Sequence, residues 1–219
     1  MKKFKHILVC GLAVVASAVA AQAQTLTQDW KMTTGLPSAA EGRAGVGFEG
    51  KVYTNFKANK SIVSFDGFKT ETLLSGKSGV GVGISRDSKG NLIIVNGWAA
   101  AGSMKSFVLY NVATKESKTV NVTLPDGVTA ARMDFIGRAA GDVFSEEGAA
   151  LFIIGSGQSV AAKIFIAKGE YVAAKSKALP KLPFTVDNMT IIQPLTESPE
   201  SDDVAVRYRS NRDFYHYDG

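Results

Sequence analysis

A fourfold internal repeat constrains this chain more than any other feature. Four segments align: Lys60-Ser-Ile-Val-Ser-Phe-Asp-Gly67, Lys105-Ser-Phe-Val-Leu-Tyr-Asn-Val112, Lys163-Ile-Phe-Ile-Ala-Lys-Gly169 and Arg212-Asp-Phe-Tyr-His-Tyr-Asp-Gly219. The pattern is basic, polar, apolar, two variable, aromatic, Asp or Asn, Gly; the second copy has Val112 in the last place, and the third is degenerate and one residue short. The basic anchors are 45, 58 and 49 residues apart. A period of that size marks a structural unit that buries its apolar face only by stacking on its neighbours.

The surroundings of each anchor predict four strands per unit. A small-residue strand comes first, at 44–48, 80–85, 133–137 and 189–193. A second follows at 51–55, 91–96, 149–154 and 204–208. The anchored segment is the third, and a more polar fourth closes the unit at 69–74, 116–122 and 171–175. Short runs of Val, Ile, Phe and Tyr between Gly, Asn and Asp turns argue an all-β fold. No helical period stands out beyond the first residues. Four strands per repeat is the pattern of a β-propeller blade, so the expectation is a β-propeller of about four four-stranded blades. Gly45, Gly47, Gly79, Gly81 and Gly83 fall in first strands, where close approach near a central axis would call for residues without a side chain.

Two readings of closure follow. The fourth copy stops after its third strand, and 25–33 reads as a spare strand ending, like other fourth strands, in Leu36-Pro37. That strand completes the last blade of a closed ring, or the chain is a truncated piece of a larger propeller.

The first residues read as a secretory signal peptide, 1–23, leaving the propeller domain at 24–219. Lys2, Lys3 and Lys5 precede the apolar stretch 7–20, and Ala21-Gln22-Ala23 is an A-x-A cleavage site. Cys10 follows Val9, not the small residue that precedes a lipid-attachment cysteine. The stretch is too short for a membrane span, and no other segment is long and apolar enough. Export places the chain in the periplasm, on the outer surface or outside the cell. Of 219 residues, 196 remain after cleavage, with a net charge of +2 in place of +5 once three lysines are gone. No Lys/Arg run builds a nucleic-acid footprint. The processed chain has no Cys and a single His, His216, so disulfide scaffolds, Ser-His-Asp catalysis on a free base and Cys/His zinc sites are disfavoured.

The segment Ser85-Arg-Asp-Ser-Lys-Gly-Asn-Leu-Ile-Ile-Val-Asn96 resembles the D-x-x-G-N-hydrophobic-hydrophobic-V stretch of NHL-type and gluconolactonase-like propellers. Gly50-Lys-Val-Tyr-Thr-Asn55 is a weaker copy. With its leader, the chain is similar to secreted bacterial β-propeller repeat proteins of unknown function. The resemblance implies a turn at Asp87 to Asn91 between first and second strands. From gluconolactonase-like propellers it also implies, as an alternative to no cofactor, a divalent metal such as calcium in a central channel. Glu41, Asp134 and Asp187 would hold it for a metal-dependent hydrolase or lactonase.

The preferred reading is a binding or scaffold module for a glycan, peptide or cell-envelope partner. Loops joining fourth to first and second to third strands share one face of a propeller. That face gathers Arg43, Asn55, Asn96, Trp98, Arg132, Asn188 and Arg209, with Lys57 and Asn211. An exposed Trp98 would stack on a sugar or anchor a partner, while a Trp98 folded back would plug the space between blades. Arginines pair with carboxylate or phosphate.

Overall fold

The computed structural model describes residues 42–56, 60–76, 83–95, 104–129, 131–133, 135–187, 190–207 and 214–218. All of them belong to the second of two units into which the chain divides, Met32–Gly219. The signal peptide and the spare strand at 25–33 lie outside the described residues.

The all-β expectation holds: the described strands form four antiparallel sheets in chain order. Sheet 1 is β1 (Gly42–Phe48), β2 (Lys51–Phe56), β3 (Ser61–Phe65) and β4 (Thr70–Leu74). Sheet 2 is β5 (Gly83–Arg86), β6 (Leu92–Val95), β7 (Met104–Tyr110) and β8 (Ser117–Thr123). Sheet 3 is β9 (Ala140–Gly141), β10 (Ala149–Ile153), β11 (Ala162–Ala167) and β12 (Glu170–Tyr171), with β13 (Lys177–Ala178) also on β11. Sheet 4 is β14 (Ile191–Pro194), β15 (Val204–Arg207) and β16 (Phe214–Tyr217). Within each sheet, consecutive strands pair as a meander.

The repeat motif now has a local cause. Its Asp or Asn starts the turn into the fourth strand. Asp66 accepts the N–H groups of Phe68 and Lys69, each at 3.0 Å. Asn111 accepts those of Ala113 and Thr114 at 2.9 and 3.0 Å. Both are side-chain mimics of a backbone turn. The third copy is one residue short because Ala167 pairs directly with Glu170 across Lys168-Gly169, both at positive φ (52° and 67°). That is the tight mirror-type hairpin turn, which needs no Asx bond.

The inner strands β6, β10 and β11 of sheets 2 and 3 are buried on both faces, which is why they read as unbroken apolar runs. Alternate residues serve different cores. Leu92 and Ile94 pack with Tyr53 and Ile62 of sheet 1. Ile93 and Val95 pack with Leu151, Ile153 and Ile164 of sheet 3. On the far side of sheet 3, Phe152 and Phe165 pack with Ile192, Val204 and Val206 of sheet 4. The sheets therefore stack face to face in the order 1, 2, 3, 4. Each fully buried aliphatic side chain in these layers contributes about 1.5–3 kcal/mol relative to exposure.

Two strand expectations are corrected in sheet 3. Met133 and residues 135–137 are not in a strand, and the first strand described is the shorter β9. Its backbone bonds go sideways to sheet 2: the Gly137 carbonyl accepts the Ser85 hydroxyl at 2.7 Å, and the Ala139 N–H donates to the Arg86 carbonyl at 2.9 Å. The segment 171–175 is likewise not continuous. A 3-10 turn at Ala173–Lys175 interrupts it, in a stretch whose two alanines have little strand preference. The Ser176 hydroxyl bridges the gap, accepting from Phe165 N–H and donating to the Val172 carbonyl, each at 2.9 Å.

The glycine argument also changes. Gly45 and Gly47 are exposed, and a Cβ at either meets nothing closer than 3.5 Å. Close approach occurs instead at Gly137, where a Cβ would overlap the Ile192 carbonyl of sheet 4.

Candidate functional site

The two ends of the sheets are built differently. One end carries the longer loops. In sheet 3 the loop after β10 is fastened on both sides by backbone bonds. Ser156 N–H donates to the Arg132 carbonyl at 2.8 Å, and Gly157 N–H to the Val186 carbonyl at 2.7 Å. Val186 N–H returns a bond to the Gln158 carbonyl at 2.8 Å. The loop between the second and third strands of sheet 3 therefore lies beside the segments that lead into β9 and toward β14. Arg132 is exposed at this end. Asp187 is half-buried and shapes its own turn, its carboxylate accepting the Thr190 hydroxyl at 3.1 Å and its carbonyl the Thr190 N–H at 3.3 Å.

Asn55 departs from the surface role expected of it. It is fully buried on β2, its Oδ1 accepting the Ala44 N–H at 3.2 Å, because β2 at this point lies between β1 and β3. Its Nδ2 is buried without an acceptor among the described residues. Arg43 falls at an irregularity in the β1–β2 pairing, between Gly42 and Ala44. Glu41, Asn96, Trp98, Asp134, Asn188 and Arg209, with Lys57 and Asn211, lie outside the described residues. His216 sits on β16 as expected, largely exposed, with Nε2 4.0 Å from an Asp203 carboxylate oxygen. Among the described residues no three His, Cys, Asp or Glu side chains cluster as a metal site.

The opposite end carries the turns between first and second strands, and here all four sheets are linked. Asp87 begins the turn between β5 and β6, as the sequence motif implied. Its buried carboxylate accepts Lys89 N–H, Asn91 N–H, Asn91 Nδ2 and Val143 N–H of sheet 3, at 2.8 to 3.0 Å. Burial pushes this carboxyl above the ordinary range, and the four donors pull against it. Ser88 adds two bonds to Gly141: its N–H to the carbonyl at 2.9 Å, and its hydroxyl receiving the N–H at 3.0 Å. The same hydroxyl donates to Glu197 of sheet 4, which also receives Arg138 of sheet 3. The Ser88 bond, with Arg138 and Arg86 nearby, holds the Glu197 carboxyl below its usual range. Arg86 donates to the Gly47 carbonyl of sheet 1 at 3.1 Å and lies 4.9 Å over the Phe48 ring.

Beside this junction a cleft of about 420 Å³ opens between sheets 1 and 2. Its polar lining includes Tyr53, Asn91, Asn111 and Asp142, with Glu49, Lys51 and Lys89. None of these was picked out as a site residue from sequence. In the sequence Tyr53 and Asn111 fall within strand segments and Asn91 within the Asp87 turn. Their convergence depends on how two sheets stack, which no local pattern records. The one available signal was the clustering of chemistry in the tight turns of both sheets.

Scanned against protein-family models the chain matches none, and no curated protein matches it.

Proposed function

We propose that this chain is an exported β-propeller that serves as a binding or scaffold module for a glycan, peptide or cell-envelope partner. The four sheets act as blades, and the loop end is the presenting face. The observation that carries this reading is the fastened loop layer. Backbone bonds from Ser156, Gly157 and Val186 lock three loops of sheets 3 and 4 together and hold the exposed Arg132 beside them. A pre-ordered loop surface loses less entropy on binding than a mobile one. The face-to-face order of the sheets and the junction of their tight turns support the blade arrangement. The leader at 1–23 supports export.

The test pairs location with binding. Expressed in a Gram-negative host, the protein should appear in the periplasm or medium with Gln24 as its first residue. Arg132→Ala and Trp98→Ala should weaken capture of envelope glycans or peptides while thermal stability stays nearly unchanged. Loss of stability without any loss of binding would sink the reading.

A further inference from the structure

We propose that the cleft between sheets 1 and 2 binds a neutral sugar of one or two rings. The inference deepens the binding-module reading, on which it rests for the chain having a ligand at all, but it places the ligand at the turn end.

Two largely buried polar side chains line the cleft. Tyr53 is 2% exposed, and its phenol supplies a hydroxyl donor. Asn91 is 7% exposed, and its Nδ2 is spent on Asp87 and Asp142, at 2.8 and 3.1 Å, which leaves its Oδ1 as an acceptor. Polar groups of largely buried side chains that line one concavity are placed to meet an occupant that supplies partners. Asn111 and Asp142 complement them. Asn111 uses Oδ1 on the Ala113 and Thr114 N–H groups and keeps Nδ2 as a donor. Asp142 uses Oδ1 on Phe144 N–H and Asn91 Nδ2 and keeps Oδ2 as an acceptor. Donors (Tyr53, Asn111) and acceptors (Asn91, Asp142) are thus mixed around one space. A hydroxyl both donates and accepts, so a polyhydroxylated ligand satisfies such a set, whereas a single amide or carboxylate does not.

Charge and shape narrow the class. Lys51 and Lys89 are balanced by Glu49 and Asp142, so the lining carries no net charge to favour an anion or a cation. Phe48, its ring packed on Gly90, joins Val112 and Ala113 as an apolar wall of the kind a sugar ring lies against. The volume falls within the range of roughly 300–1,000 Å³ typical of small-ligand sites. Burial, followed by the nearby Glu49 and Glu71 charges, keeps the Tyr53 phenol protonated as a donor well past neutral pH.

The experiment is saturation-transfer NMR, followed by titration, of the exported chain with maltose, cellobiose, lactose and N,N′-diacetylchitobiose at millimolar concentration. At least one should receive saturation. Tyr53→Phe removes the hydroxyl and keeps the ring in the core. Asn111→Asp keeps the turn and removes the donor. Each should weaken that sugar about tenfold, the loss of one hydrogen bond. Arg132→Ala should leave it unchanged. No transfer to any sugar overturns the cleft proposal, as does unchanged affinity in both cleft variants. Sugar binding weakened by Arg132→Ala alone overturns it too, and leaves the loop-face reading standing. If sugars fail while a peptide or envelope protein is captured, the cleft proposal again falls and the binding module survives.

Discussion

Lys163 offers the sharpest test of how sheets 3 and 4 are joined. Its side chain is 4% exposed, and its ammonium reaches the Glu200 carbonyl at 3.0 Å, the Ser201 carbonyl at 3.1 Å and Asp202 Oδ1 at 2.9 Å. Substituting Met keeps the stem and removes all three bonds. Breaking a buried pair typically costs about 3–5 kcal/mol, because the surviving charge is stranded. Here Asp202 also pairs with Lys177 and is 15% exposed, so it is not fully stranded. The expected loss for Lys163→Met is therefore about 2–3 kcal/mol, below that range. For a domain of this size that is a drop of about 4–12 °C in Tm. Urea and thermal unfolding by circular dichroism measure both. A double-mutant cycle with Asp202→Asn should return a coupling of about 1 kcal/mol or more. Refutation has a clear form. If Lys163→Met matches wild type within about 0.5 kcal/mol and the coupling is nil, desolvation of the pair cancels its attraction and the joint is held by apolar packing alone.

The same joint sets an acid limit. Burial works to raise the Asp202 carboxyl, but Lys177 and Lys163 outweigh it and leave the group below its usual range; Lys175 lowers Glu200 likewise. Carboxyls depressed in the fold stabilise it above the unfolded value near 4, and lose that contribution as pH falls through the folded value. Wild-type Tm should thus fall below about pH 4 more steeply than that of Asp202→Asn, and parallel curves would contradict the assignment. At Gly137, Ala should cost about 1–3 kcal/mol or more, since the Cβ meets backbone that cannot swing aside. Gly47→Ala should stay within about 0.5 kcal/mol, having open space, and equal losses at the two sites would undo the packing argument.

Sheets 1 and 2 were legible almost strand for strand, because the Asx turns at Asp66 and Asn111 and the Asp87 turn punctuate β-rich runs. Sheet 3 was less legible where its backbone bonds leave the sheet. Ser85 and Arg86 take the bonds of Gly137 and Ala139, and a periodicity argument assumes that such bonds stay within one meander. Asn55 misled for a related reason. Its position near a strand end suggested a loop residue, while the β1 and β3 neighbours that bury it come from pairing register. Arg132 lies in the loop layer with residues 156–158, a position that loop connectivity alone assigns to one end. Tyr53 and Asn111 could not be assigned in this way, since the cleft exists only between two sheets.

The alternation within sheet 2 has a consequence for how substitutions spread through this molecule. Ile93 and Ile94 are covalent neighbours, yet each answers to a different set of partners on opposite sides of the sheet. A volume change at Ile94 is compensated at Tyr53 or Ile62, more than thirty positions away in sequence, and hardly at Ile93. One strand thus records two independent histories of packing, and inserting or deleting a single residue in β6 would exchange them.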